Sequence, residues 1–204
     1  MFSFLKLIRY KNLLMVLLTV VLTKYAIINS LPSIASDFQF ILLSISILCI
    51  TASGYIINDV LDIKADKINK PTKVYVGETI SKKHAVISYM ALNLIGLIIG
   101  VYTSITKGNL EYSLFFIISV GLLYFYSKTF KRIAVIGNLV TSFLIALTLF
   151  IVYIFEIENT DTATNLLDAI TNFFTSISVT IYIFIYIIFA FFMTFIREVI
   201  KDVE

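Results

Sequence analysis

The chain has 204 residues, 59% of them hydrophobic and 14% charged, with a formal net charge of +3 at pH 7; no soluble domain of this size could hide so much apolar side chain in one core. Mean hydropathy of +0.97 agrees, and a polytopic membrane protein is expected. The single cysteine, Cys49, excludes a disulfide framework and a cysteine metal site. The Lys and Arg are spread over short connections between apolar runs, a placement that orients a chain in the bilayer and argues against a nucleic-acid partner.

Taken in order, apolar runs of about twenty residues, the length that crosses a bilayer, occupy 12–31, 38–57, 84–105, 111–127, 133–155 and 179–197. The first follows Lys6, Arg9 and Lys11 and is too long for the apolar core of a cleaved signal peptide, so a retained helix is expected. Lys24, near its end, is expected to snorkel to the interface. His84 is expected to cap or flank the third helix. The connection from Glu156 to Ser178 holds four acids and no base, and within it Leu166, Leu167, Ile170, Phe173, Phe174 and Ile177 recur at helical spacing, predicting an amphipathic helix at the membrane surface. No linker divides the chain, so residues 1–204 are read as one transmembrane domain.

Alternate connections differ sharply in charge. One side collects Lys6, Arg9, Lys11, Lys64, Lys67, Lys70, Lys73, Lys82, Lys83, Lys128, Lys131, Arg132, Arg197 and Lys201, and the other only Lys24 and Lys107. The positive side is the cytoplasmic one by the usual bias, which places the N-terminus, the C-terminus and the two basic connections there.

The acids that matter follow the second run, in Asn58-Asp-Val-Leu-Asp-Ile-Lys-Ala-Asp-Lys-Ile-Asn-Lys-Pro71. On a continuing helix of about 100° per residue, Asp59, Asp62 and Asp66 fall within about 60° of arc, with Asn58 beside them. Such a cluster repels itself unless cations sit in it. Hard oxygen donors without His or Cys suit Mg²⁺ shared with a substrate's phosphates. The bland alternative is a solvated helix end with local pairs to Lys64, Lys67 and Lys70, each worth only about 0–1 kcal/mol.

Two further constellations stand on the same side. After the last run, Glu198 and Asp202 are four residues apart on one helix face, with Arg197 and Lys201 on the next; facing the first cluster, they read as the other half of a metal and diphosphate site. Between the fourth and fifth runs lie Tyr126, Lys128, Lys131 and Arg132, which membrane orientation alone would also explain.

These residues resemble the UbiA superfamily of intramembrane prenyltransferases. Asn58, Asp59, Asp62 and Asp66 match its first motif, Asn-Asp-x-x-Asp-x-x-x-Asp, continued by Asn69 and Pro71. Arg9 and Asn12 look like its Arg-x-x-Asn element before the first helix, and Tyr126, Lys131 and Arg132 like its Tyr and Lys/Arg element. Gly137 and Asn138 also fit. The ending Arg197-Glu-Val-Ile-Lys-Asp-Val-Glu204 looks like the start of the second Asp-rich motif in the branch that prenylates geranylgeranylglyceryl phosphate. Lys73 stands where many members have Arg, losing the planar fork for phosphate.

The resemblance implies an all-α polytopic bundle, with six transmembrane helices present of the nine usual for the family and the domain incomplete at its C-terminus. It implies Mg²⁺-dependent transfer of a polyprenyl group from its diphosphate to a lipid-type acceptor such as geranylgeranylglyceryl phosphate, in a prokaryotic cell membrane, with the Asp motifs cytoplasmic. Asp59, Asp62, Asp66 and Asp202 would hold the metal. Asn58 would orient an acid, and Lys131, Arg132, Arg197 and Lys201 would neutralise the leaving diphosphate, with Arg9, Asn12, Tyr126 and Asn138 completing the substrate site. An aromatic or quinone-precursor acceptor is the alternative within the family. An inactive truncated relative is another, and so is a CDP-alcohol phosphatidyltransferase, although no Gly lies between Asp59 and Asp66 as that class requires.

Overall fold

The computed structural model describes residues 2–28, 36–69, 74–133, 135–156 and 166–203. The described residues form seven α-helices: α1 (Phe2–Leu7), α2 (Tyr10–Leu22), α3 (Asp37–Asn69), α4 (Lys82–Thr106), α5 (Ser113–Lys128), α6 (Ile136–Glu156) and α7 (Leu166–Val203). Five stretches, in α3 to α7, are long and apolar enough to cross a membrane. The first apolar run is helical in two pieces, α2 and a π-helical turn over Thr23–Ile28, with 29–31 outside the described residues. The protein is an integral membrane bundle, and the expectation of one uninterrupted first span gives way to a helix that widens into a π turn.

Local chemistry sets the ends. Ser36 and Gln39 form a reciprocal capping box before α3, the Gln39 amide donating to Ser36 Oγ (3.3 Å) and the Ser36 amide to Gln39 Oε1 (3.1 Å). Ser81 caps α4 by accepting from the His84 amide, and its Oγ lies 2.7 Å from His84 Nδ1, so the lone histidine has the expected flanking role. α3 runs 33 residues, about 50 Å at ~1.5 Å per residue. That exceeds a hydrocarbon core of about 30 Å, so the helix carries its acids beyond the apolar run without a break. The expected separate amphipathic helix is instead the first part of α7, which is unbroken over 38 residues.

The helices pack closely where side chains are small, as membrane bundles require. A Cβ on Gly96 would lie 2.8 Å from Ile50, and Ser46 Oγ donates to the Gly96 carbonyl at 2.7 Å, joining α3 to α4. A Cβ on Gly54 would lie 2.8 Å from Leu123, joining α3 to α5. α6 packs chiefly on α7 and on the π turn. A second apolar cluster of Leu7, Ile56, Ile57, Val60, Val76 and Ala85 fastens α1 and the connection before α4 to the acidic end of α3.

Candidate active site at one end of the bundle

α2 and α4 begin, and α3, α5 and α7 end, at the same end of the bundle, and α6 begins there too. This brings the sequence-derived residues together. Arg9 stands between α1 and α2 in the left-handed backbone conformation (φ 52°, ψ 55°), a costly state for a residue with a Cβ. That turn lays its guanidinium against Asp59, Nη2 to Oδ1 at 3.1 Å, and over the Tyr55 ring at 5.0 Å from the centroid. Tyr55 carries no sequence signal beyond lying one helical turn before Asn58 and Asp59.

Lys131 comes from a short 3-10 turn over Phe130–Arg132. Its Nζ donates to Asn58 Oδ1 (3.0 Å) and to Asp62 Oδ2 (2.5 Å). The approach depends on Gly137 at the start of α6, where a Cβ would lie 3.1 Å from Lys131 Cα and from the Phe130 carbonyl. Next to it, Asn138 Nδ2 donates to Asp202 Oδ2 at 2.9 Å, tying α6 to α7. On α7 the buried Glu198 binds two bases, Arg197 Nη1 to Oε1 (2.8 Å) and Lys201 Nζ to Oε2 (2.7 Å). Its position as the clamp between them is the feature that residue type alone does not give.

Behind these groups lies a cavity of about 520 Å³, within the ~300–1,000 Å³ range of small-molecule sites. Its mouth is lined by Arg9, Asn12, Tyr126, Arg197, Glu198 and Lys201, and its depth by Ile47, Phe116, Leu144, Leu149 and Ile151. Four of the hydroxyls along the wall are spent on their own helices: Thr19 on the Met15 carbonyl, Thr51 on Ile47, Ser119 on Phe115 and Thr148 on Leu144. The wall therefore offers methyl groups and satisfied oxygens, a surface that an apolar chain can cover without stranding a donor.

The bland alternative of local pairs does not hold for Asp59 and Asp62: their cations are Arg9 and Lys131, and Lys67 pairs with Glu78 at 3.4 Å. Nor do Asp59, Asp62, Asp66 and Asp202 form a ready cage, since among the described residues no three acids gather where they could share one metal ion. The reason is the basic partners that already neutralise Asp59 and Asp62, together with the Asn138 amide that holds Asp202 to α6. The donors still fit a hard cation of the Mg²⁺ type, which takes one or two carboxylates and completes its shell with phosphate oxygens and water. Of the expected site residues, Arg9, Asn12, Asn58, Tyr126, Arg197 and Lys201 line the cavity, whereas Asp59, Asp62, Lys131, Asn138 and Asp202, the half-buried Asp66 and the exposed Arg132 stand outside its lining. Pro71 and Lys73 lie outside the described residues.

The opposite end holds a surprise. Lys24 does not snorkel: it is 6% exposed, its Nζ 3.2 Å from Oε1 of the fully buried Glu156 and 4.3 Å from the Phe40 ring centroid. The π turn rolls it inward.

The chain is 28% identical over 204 residues to the digeranylgeranylglyceryl phosphate synthase of Ignicoccus hospitalis, covering 99% of this chain and 58% of that protein. It is 31% identical over 155 residues to the synthase of Saccharolobus solfataricus (76% and 47%) and 35% over 112 residues to that of Sulfurisphaera tokodaii (55% and 38%). The chain thus spans roughly half the length of the curated relatives it matches. A solved digeranylgeranylglyceryl phosphate synthase structure has the same fold, with TM-score 0.73 and 22% identity over 98% of this chain and 61% of that one. The family model for UbiA prenyltransferases matches residues 13–204, and this chain belongs to the UbiA prenyltransferase family.

Proposed function

We propose that this site transfers a polyprenyl group, geranylgeranyl in kind, from its diphosphate to a lipid-type acceptor such as geranylgeranylglyceryl phosphate, at the cytoplasmic face of the membrane. The observation that carries the reading is the polarity of the cavity: Arg9, Arg197 and Lys201 gather at its mouth, with Asp59 held beside it by Arg9, while its depth is apolar. A diphosphate with an isoprenoid tail has that same division.

Arg9, Lys131, Arg197 and Lys201 bind the diphosphate oxygens. Each is already oriented by an acid or amide, so little reorganisation accompanies the departure of the leaving group, when negative charge on the diphosphate grows and fixed cations count most. Asp59 and Asp62, beside Arg9 and Lys131, are the carboxylates that would hold Mg²⁺, which would supply further charge neutralisation at the phosphate oxygens. The ring of Tyr126 at the mouth shelters the allylic carbon from water. The acceptor's hydroxyl oxygen attacks that carbon as its bond to the diphosphate breaks, and the hydroxyl proton leaves with solvent or phosphate.

The test is prenyl transfer in membranes carrying this chain, with geranylgeranyl diphosphate and geranylgeranylglyceryl phosphate, the product read by mass. Transfer is expected to require Mg²⁺, to stop in chelator and to fall at least about a hundredfold in Asp59→Asn. Turnover indifferent to chelator, or intact in Asp59→Asn, would sink the reading.

A further inference from the structure

The cavity has a floor, and its position is set by residues far from the charged mouth. Ile47, Phe116 and Ile151 close it on α3, α5 and α6, each at most 5% exposed. The Phe116 ring is seated in a notch of α4 opened by Gly100, where a Cβ would lie 2.7 Å from the ring, and it meets Phe155 edge-on at 5.9 Å. Phe116 has no room to swing aside on that side.

The π turn closes the remaining gap. Nearer the mouth α2 leans on α3, but the π turn packs against α6 and α7. The buried Lys24–Glu156 pair staples it to α6 there, and Lys107, just past the end of α4, donates to the Phe155 carbonyl at 2.8 Å behind the floor. A chain pushed past Phe116 would have to enter this charged layer and strip its interactions, which is costly in a low-dielectric interior.

We infer that Phe116 is a specificity-determining residue that limits the length of the apolar tail held inside, an inference that rests on the donor reading above. The stretch of α3 from Asn58 down to Ile47 is ~16 Å long at ~1.5 Å per residue. With carbon–carbon bonds of about 1.5 Å, an extended five-carbon prenyl unit is roughly 5 Å long, so about three stretched units, or four slightly folded ones, fill the depth. Geranylgeranyl, about 20 Å when extended at that length per unit, fits only if shortened by roughly a fifth, and is then the longest tail the cavity encloses.

The experiment measures binding of geranyl, farnesyl, geranylgeranyl and geranylfarnesyl diphosphates to the chain in nanodiscs, referenced to protein-free nanodiscs, with the corresponding prenols in parallel. Each unit up to geranylgeranyl is expected to tighten binding by on the order of tenfold or more, and geranylfarnesyl to gain nothing. Phe116→Ala moves the break one unit on, so that geranylfarnesyl gains roughly tenfold over geranylgeranyl while geranyl is unchanged. Affinity that keeps rising through geranylfarnesyl in the unaltered chain overturns the inference, because the tail then leaves sideways into lipid. A break that stays in place in a folded Phe116→Ala also overturns it. If diphosphates bind no tighter than prenols, the diphosphate reading fails, and the break in the prenol series still decides the floor.

Discussion

Lys131→Met removes the one cation shared by Asn58 and Asp62. The Lys131 and Asp62 side chains are 15% and 20% exposed, so neither limiting case applies. An exposed pair would be worth about 0–1 kcal/mol, and breaking a fully buried one about 3–5 kcal/mol. Asp62 keeps a little water, so a loss of ~1–3 kcal/mol in stability is expected, visible as a lower unfolding temperature in detergent. Asp62→Asn in the same chain should return most of that loss, giving a coupling of at least about 1 kcal/mol in a double-mutant cycle. Transfer behaves differently. It falls about 10²–10³-fold in Lys131→Met, as when a donor aimed at developing charge is removed, and Asp62→Asn does not restore it. Stability effects that add within about 0.5 kcal/mol, or transfer that survives Lys131→Met, would refute the bridging role.

Gly137→Ala forces a methyl group against the Lys131 backbone at 3.1 Å, so the 3-10 turn has to yield by a few tenths of an ångström. Prenyl transfer should drop by about tenfold, in keeping with the cost of small misplacements, and melting should fall by the ~1–3 kcal/mol typical of overpacking; an unaltered rate would show that Lys131 adjusts freely. Glu198→Gln frees Arg197 and Lys201 from their common anchor, and kcat should fall about tenfold with a much smaller change in KM for the donor. Glu198→Asp, one methylene shorter, should fail to rescue it; full activity in either variant would mean that the two bases place themselves.

The acidic face of α3 was legible because helical periodicity needs only local sequence: Asp59, Asp62 and Asp66 align on any continuous helix, and none of the intervening residues breaks one. Their partners were not legible, because Arg9 stands 50 positions from Asp59 and Lys131 stands 69 from Asp62. Local reasoning offers Lys64 and Lys67 first, and tertiary packing overrides it. The sequence placed Glu198 with Asp202 as acids of a metal and diphosphate site; that Glu198 instead anchors both neighbouring bases goes with its burial on α7.

The two errors elsewhere have definite physical sources. Treating 166–177 and 179–197 as separate helices followed the acids of the preceding connection, yet no Gly or Pro stands between Ile177 and Thr180 to end a helix, and α7 runs through. Lys24 read as a snorkelling side chain because a lone cation in an apolar run has nowhere else to go on an α-helical surface. The π turn removes that premise: the added residue per turn rotates Lys24 from the lipid side into the bundle, where Glu156, contributed from the end of α6, stands 3.2 Å away. A carboxylate buried at the last turn of an apolar helix is itself a demand for a cation, and Lys24 and Lys107 were the two bases assigned to that end by charge asymmetry alone. The pairing was therefore within reach of the sequence once burial of Glu156 was granted, and only the π turn, which no propensity marks, was not.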